Sequence, residues 1–140
     1  MSEPKRLGTV PVPNLLFDQL LPQLNDAELR LILIVLRSTL GWREGDDFGG
    51  WRQKRRDWLT NRQLVRRTGS SSASVSRAIQ TLLDAGLIRV EAVDGTLLDT
   101  PHKRRRNLGR LYFAPGDMWK TAPPADIGSP RRTTNTGNNN

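Results

Sequence analysis

The sequence predicts a mainly α-helical domain with a small β-wing, and three observations support this prediction. A long, capped helical pattern runs from Asn25 to Leu40. Residues 58–88 hold a short and then a longer amphipathic pattern, separated by a turn that contains glycine. Alternating strand patterns follow at residues 87–93 and 110–113. A hairpin directly after the second helix of a helix-turn-helix makes a winged helix-turn-helix.

The two ends of the chain are expected to lie outside this domain. Residues 1–12 predict a flexible N-terminal arm, and residues 120–140, rich in Pro, Gly, Thr and Asn, predict a disordered tail or linker. The winged-helix domain should therefore span residues 13–119. Both an isolated domain of a longer protein and a naturally short protein fit this organisation.

Two helices are predicted ahead of the helix-turn-helix. A short one should cover residues 13–21, because Pro22 cannot continue a helix. The next should start after Asn25, since Glu28 three residues later completes a capping box, and it should run to Leu40.

The long helix has an apolar pattern that indicates burial on two sides. Residues 31–35 make its middle apolar nearly all round. Such a helix is either a central core helix or, in part, a dimer interface. Its expected inner stripe is Leu29, Ile32, Leu33, Leu36 and Leu40.

The first helix of the helix-turn-helix should begin at Asn61. Thr60 and Gln63 have the spacing of a capping box, and Gly69 supplies a left-handed C-terminal residue. Its cations are candidates for contacts to the DNA backbone: Arg62, Arg66 and Arg67.

The second helix should be capped by Ser71 and ended by Gly86. Its buried stripe is expected at Val75, Ala78, Ile79, Leu82 and Leu83. Its outward face holds the candidates for base readout in the major groove: Ser72, Ala73, Ser76, Arg77 and Gln80. Arg can bond guanine and Gln can bond adenine, while small residues allow close approach. The alternative is an ordinary helical hairpin with a solvated polar face.

The wing is expected to be one hairpin. Its first strand is expected at residues 87–93 and a turn at Asp94-Gly95. Residues 110–113 are expected to form the second strand of the hairpin. Between the strands lies a long basic tip that would contact the DNA backbone: Lys103, Arg104, Arg105 and Arg106. A merely solvated run of charges is the alternative.

Residues 43–57 predict a loop that is mobile when unbound, because glycine is frequent there. Its second half places four cations beside Trp51: Arg52, Lys54, Arg55 and Arg56. This loop either contacts phosphates or is simply solvated. Trp58-Leu59 could form a very short strand after it.

Composition argues against an enzyme and against a resident cofactor or metal. The chain has no Cys and a single histidine, His102, so thiolate sites and histidine clusters are excluded. Asp46-Asp47 is an isolated acidic pair without partners for catalysis. The longest apolar run, residues 31–36, is too short for a membrane span, which favours a cytoplasmic protein.

The net charge of +8 is distributed unevenly along the chain. Residues 1–50 hold five Lys/Arg against seven Asp/Glu, whereas residues 51–140 hold seventeen against seven. A basic region of this kind fits a polyanion, and double-stranded DNA is the expected partner of a basic helix-turn-helix. Charge that serves only solubility usually mixes both signs.

Residues 12–88 resemble a known family. The segments V-P-N-L-L-F-D-Q-L-L from Val12, L-R-S-T-L-G-W ending at Trp42, and T-G-S-S-S-A-S-V-S-R-A-I from Thr68 are similar to the N-terminal domain of phage replication protein O and related phage and plasmid initiators. The resemblance implies binding to repeated origin sites, often as a homodimer, with a replicative helicase recruited by a separate region. It also implies contacts to DNA from the start of the second helix.

Three functions are therefore open. The first is recognition of an origin in phage or plasmid DNA replication, and the second is transcriptional regulation by the same fold. The third is a primosome or recombination adaptor that binds a protein or single strands, with Trp42 and Trp51 available for base stacking.

Overall fold

The main helices begin where their capping residues predict. The computed structural model describes residues 8–41, 43–45 and 50–121. Within them, Asn25 and Thr60 each close a reciprocal capping box, with Glu28 and Gln63 respectively. Gly69, at a φ of 72°, ends the first helix of the helix-turn-helix. The three helices are α1 (Asp26–Thr39), α2 (Asn61–Thr68) and α3 (Ser72–Asp84).

Helix α1 lies at the centre of the fold and packs against α2, α3 and the sheet. Its buried positions are Glu28, Leu31, Ile32, Val35, Leu36, Ser38 and Thr39. The expected inner stripe is therefore wrong in part, since Leu33 is 38% exposed. Apolar residues surround the middle of this helix, so the packing of α3 and the sheet selects the buried face.

The segment before α1 differs from its prediction. Residues Leu16–Leu20 form a π-helical turn and Leu21–Gln23 a 3-10 turn, in place of one helix ended by Pro22. Pro22 fits in the first turn of the 3-10 segment, where no backbone N–H is required. Leu16 is buried and fixes the segment on the core.

Three short antiparallel strands form the sheet, in the order β3-β5-β4. Ile88 and Val90 of β4 are buried and alternate with half-buried neighbours, as predicted. Central β5 starts two residues later than expected, and its Phe113 is buried in the core. The strands are β3 (Asp57–Trp58), β4 (Ile88–Glu91) and β5 (Tyr112–Pro115).

The predicted loop at residues 43–57 is not wholly irregular. Strands β1 (Arg43–Gly45) and β2 (Trp51–Gln53) pair as an antiparallel hairpin, with Arg43 opposite Gln53. The prediction followed glycine content and missed the pairing because only three residues on each side take part. Trp42, Asp46 and Asp47 lie outside the described residues.

The wing contains a helix where the sequence predicted a long basic tip without secondary structure of its own. Gly95, at a φ of 91°, forms the expected turn, and the Leu98 N–H donates to the Val90 carbonyl at 2.8 Å. Helix α4 (Pro101–Arg106) then begins with Thr100 as its cap and proline at its first position. The four predicted cations of the tip therefore lie on a helix.

A final turn of helix, α5 (Met118–Thr121), closes the described part of the chain. The Trp119 indole N–H donates to the Leu87 carbonyl at 2.9 Å, as expected for a residue packed back on the domain. Residues 1–7 and 122–140, which include most of the predicted arm and tail, lie outside the described residues. The domain boundaries at 13 and 119 stay predictions.

Candidate nucleic-acid interface

The face of α3 that points away from the core carries four of the five predicted base-reading residues. Its buried side is set by residues 75, 78, 79 and 82, which pack on α1 and the sheet. The Ser72 hydroxyl accepts a hydrogen bond from the Asn61 amide at 3.1 Å, which connects the starts of α3 and α2. The exposed residues of this face are Ser72, Ala73, Ser76 and Arg77.

Arg77 is held only weakly by its surroundings. Its guanidinium donates to the Ser74 hydroxyl at 3.4 Å, near the upper limit for a hydrogen bond. Ser74 in turn lies beside the cap of the helix, since the Ser71 oxygen accepts from the Ser74 backbone N–H at 3.1 Å. The guanidinium is therefore exposed and free to reorient toward a ligand.

Gln80, the fifth predicted base reader, is engaged inside the molecule. Its amide N–H groups donate to the Asp84 carboxylate at 2.9 Å and to the Asp99 carbonyl at 3.0 Å. Its amide oxygen accepts from Arg104 at 3.0 Å. A contact to a base would require these hydrogen bonds to be exchanged.

Arg104 differs from the other cations of α4. It also donates to the Leu98 carbonyl at 3.1 Å, so its guanidinium bridges the wing and α3. Burial lowers the pKa of Arg104 below its ordinary value, and the nearby charge of Arg105 adds to this effect. Arg104 is thus half-buried and occupied by internal partners.

The remaining cations of α4 face solvent. Lys103 pairs with Asp99 at 3.0 Å, and this hydrogen bond, together with the ammonium charge, holds the pKa of Asp99 below its ordinary value. Arg105 and Arg106 are exposed and have no polar partner within the described part of the chain. They leave a concentrated positive charge next to α3.

Helix α2 divides its three predicted cations into two groups. All three are exposed, but Arg67 also donates to the Ser38 hydroxyl of α1 at 3.3 Å. A residue that sequence reasoning missed, Arg30 of α1, donates to the Thr68 carbonyl at 2.9 Å. Two arginine contacts therefore fasten the helix-turn-helix to α1.

The cations before β3 are mostly committed to the fold. Arg56 pairs with Glu91 at 2.7 Å, donates to the carbonyls of residues 92 and 93, and lies 4.3 Å from the centre of the Tyr112 ring. Lys54 pairs with Asp57 at 2.6 Å. Arg55 is exposed.

Two predictions near this loop cannot be placed. The side chains of Arg52 and Trp51 lie outside the described residues, as does all of Trp42. Arg52 was expected to contact phosphates, and the two tryptophans were expected to stack on single-stranded bases. These expectations stay predictions.

Sequence reasoning also missed the loop between α4 and β5. Arg110 lies over the Trp58 ring at 3.9 Å from its centre, and Leu108 is fully exposed. The signal was present, because Asn107 and Gly109 flank Leu108 in a pattern typical of a turn.

The described residues contain no group of three or more side chains that could hold a metal ion. No helix in residues 8–41 or 50–121 has the length and apolar character needed to span a bilayer.

The fold is a winged helix-turn-helix: α2 and α3 form the motif, and the sheet with α4 forms the wing. This architecture, with an exposed polar face on α3 and cations on α2 and α4, defines the class of winged-helix DNA-binding proteins. A model of the MarR family matches residues 51–96, from β2 to the turn of the wing, about a third of the chain. Searches of curated proteins and of solved structures each gave no significant match.

The family match overturns the resemblance to phage replication protein O. It covers residues 68–88, which supplied one of the two more specific parts of that resemblance, and it points to a different family. Every helix-turn-helix needs helix caps and a buried apolar stripe, so similar residue patterns occur in unrelated members of the class. The origin-binding role and the helicase partner implied by that resemblance lose their basis.

At a coarser level the match agrees with one earlier expectation, that of a DNA-binding protein. MarR-family winged-helix proteins are DNA-binding regulators. The match therefore supports a DNA-binding protein, in agreement with the expected duplex partner.

Proposed function

We propose that this chain is a winged-helix transcriptional regulator that binds double-stranded DNA in a sequence-specific manner, as a homodimer in the cytoplasm. The observation that carries the proposal is the connection between the exposed face of α3 and the basic helix α4 through Gln80 and Arg104. A helix that can enter a major groove is thereby held next to a surface suited to phosphates.

Base readout is assigned to the N-terminal half of α3. Residues at the start of a recognition helix contact base edges most directly. Arg77 can donate two hydrogen bonds to a guanine, while Ser72, Ala73 and Ser76 are small enough for the helix to approach the bases closely. Arg77 is suited to this role because its internal contact, at 3.4 Å, is weak.

Gln80 receives a positioning role in this proposal. The sequence predicts base readout for it, but its amide already bonds Asp84, Asp99 and Arg104. An amide with all its near partners satisfied gains little by exchanging them for a base. Gln80 and Arg104 together set the angle between α3 and α4.

The exposed cations around α3 are assigned to the DNA backbone. Their binding releases counterions from the duplex, which strengthens association without selecting a sequence. The structure leaves Arg67, Lys54, Arg56 and Arg104 bonded to protein groups, so they contribute less to this surface. Lys103 is kept because its side chain stays 54% exposed beside Asp99. The proposed backbone contacts are Arg55, Arg62, Arg66, Lys103, Arg105 and Arg106.

A homodimer is part of the proposal because apolar surface remains exposed near the N-terminus. Phe17 is 57% exposed, and Leu21 and Leu33 are 39% and 38% exposed. Two copies related by a two-fold axis would read two half-sites spaced by about one turn of the double helix.

Selection of bound duplexes from a random pool tests the proposal. We expect enrichment of a palindromic site, with its half-sites on one face of the duplex. Mapping of bound genomic sites should then find this sequence in promoters. Failure to enrich any sequence, or a preference for single strands in competition at physiological salt, would contradict the proposal.

A further inference from the structure

Leu108 has the highest exposure among the large apolar residues that the structure describes. It is 101% exposed, whereas the next such residue, Val93, is 64% exposed. Single exposed leucines are common on protein surfaces, so the meaning of this one depends on its surroundings.

The loop that carries Leu108 is held on both sides. The Asn107 side-chain amide donates to the carbonyl of Gly109 at 2.9 Å and to that of Arg110 at 3.4 Å. The Arg110 guanidinium then lies over the Trp58 ring, 3.9 Å from its centre. Leu108 therefore projects from a defined turn between two anchors.

The charge around this turn is uniformly positive. Arg105 and Arg106 precede Leu108 and Arg110 follows it, and residues 100–116 contain no Asp or Glu. A partner for this surface has to be anionic and must also offer an apolar place for a leucine. Stacked bases between two phosphate rails meet both conditions.

The turn also follows directly on the part of the wing that contacts α3. Arg104 contacts Gln80 of α3, and Leu108 follows Arg104 by four residues. Even a fully extended chain would keep these two residues within roughly 14 Å of each other. Leu108 thus follows closely on the wing helix that contacts α3.

We propose that Leu108 is an apolar wedge that enters the minor groove next to the site of α3 and partly unstacks one base step. This inference rests on the proposed DNA-binding function. Wedges of this kind kink the duplex, and the cost of unstacking, a few kcal/mol per step, is offset by the extra protein surface that the bent DNA contacts. The step chosen is a flexible pyrimidine–purine step, which gives Leu108 an influence on specificity without a hydrogen bond to a base.

The test uses the full chain and a selected duplex that carries a fluorescent adenine analogue at successive positions beside the α3 site. Emission of the analogue rises when its base is unstacked. We expect a rise at one step with the natural protein and none with Leu108→Ala, whose affinity falls on the order of tenfold. The salt dependence of binding stays the same because no charge changes.

Two further variants serve as controls. Leu108→Met keeps an apolar side chain of similar volume and should retain both the affinity and the fluorescence signal. Val93→Ala removes an exposed apolar side chain from the hairpin turn at residues 92–95, which holds no Lys or Arg, and should leave both unchanged. All three substitutions are at exposed positions, so the free energy of unfolding should stay within about 0.5 kcal/mol of the natural value.

The possible results separate this inference from the proposed function. Equal affinity and equal unstacking for Leu108→Ala and the natural protein would overturn the wedge and leave DNA binding intact. A natural protein that selects no duplex would overturn both. A Leu108→Ala protein that unstacks the base normally but sediments as a smaller species would assign Leu108 to contacts between copies and overturn the wedge.

Discussion

The Arg104 guanidinium donates to the Gln80 amide oxygen at 3.0 Å, and this contact joins the wing to the recognition helix. Gln80 also bonds Asp84 on its own helix and the Asp99 carbonyl just before α4. The Gln80 side chain thus bonds Asp84, Asp99 and Arg104, so α3 and α4 should move together as one unit.

A double-mutant cycle with Gln80→Ala and Arg104→Met tests this connection. We expect a coupling energy of about 1 kcal/mol, because a partly exposed hydrogen bond to a charged group is worth roughly that amount. Urea-induced unfolding of the four proteins measures it. Arg105→Met, in which the neighbouring cation has no contact to Gln80, should be additive with Gln80→Ala. Full additivity of Arg104→Met would show that the contact does not hold the two helices together.

Replacement of Arg77 tests the assignment of base readout to α3. Arg77→Ala should lose ~1–3 kcal/mol of binding free energy on the selected duplex and flatten the preference for it. Titrations of selected and scrambled duplexes provide the measurement. Arg105→Ala is the matched comparison: it should weaken both duplexes alike and lower the salt slope by about one. An equal loss on both duplexes for Arg77→Ala would place its side chain on a phosphate.

Replacement of Arg56 should lower stability, whereas replacement of the adjacent Arg55 should weaken DNA binding. Arg56→Ala leaves Glu91 without its partner and removes two bonds to the hairpin turn, so the free energy of unfolding should fall by roughly 2–3 kcal/mol. Arg55→Ala should leave stability unchanged and weaken DNA binding with a smaller salt slope. Thermal unfolding and binding titrations of both variants decide the matter. Stability that is insensitive to Arg56 would be inconsistent with its proposed structural role.

Gly116 is required by close packing of the backbone. A Cβ there would lie 2.1 Å from the Gly86 carbonyl oxygen and 2.9 Å from the Ile88 nitrogen. The Gly116 N–H donates to the Leu87 carbonyl at 3.0 Å, which holds the two backbone segments together, so Gly116→Ala should destabilise the fold by roughly 2 kcal/mol or more. Gly109→Ala, at a site with no atom closer than 4.0 Å, should be nearly neutral. Denaturant unfolding of both variants gives the comparison, and similar stabilities would argue against the tight crossing at Gly116.

Local signals explain why the helices could be predicted and parts of the wing could not. The boxes at Asn25 and Thr60 are complete within four residues, so the starts of α1 and α2 follow from the sequence alone. The start of α4 had an equally local signal in Thr100-Pro101, but the following run of cations suggested an exposed tip. The strands β1 and β2 hold only three residues each, too few to show an alternating pattern in the sequence.

The candidate site was predictable to a similar extent. The exposure of Ser76 and Arg77 follows from the helical period, because the apolar stripe fixes which side of α3 is buried. The internal bonds of Gln80 and Arg56 depend on the placement of residues 19 to 37 positions away in the chain. Such contacts are a property of the tertiary structure, and composition cannot separate a structural arginine from one that is free to bind a ligand.

Helix α4 has a consequence for thermal behaviour. Its six residues are too few to be helical alone, and its four successive cations repel one another, so its order depends on the Thr100 cap and on Arg104. Any polyanion that neutralises those charges removes the repulsion and therefore favours the folded segment. By mass action the same polyanion should raise the temperature at which the wing unfolds. Heating that unfolds the wing should in turn lower its affinity for the polyanion.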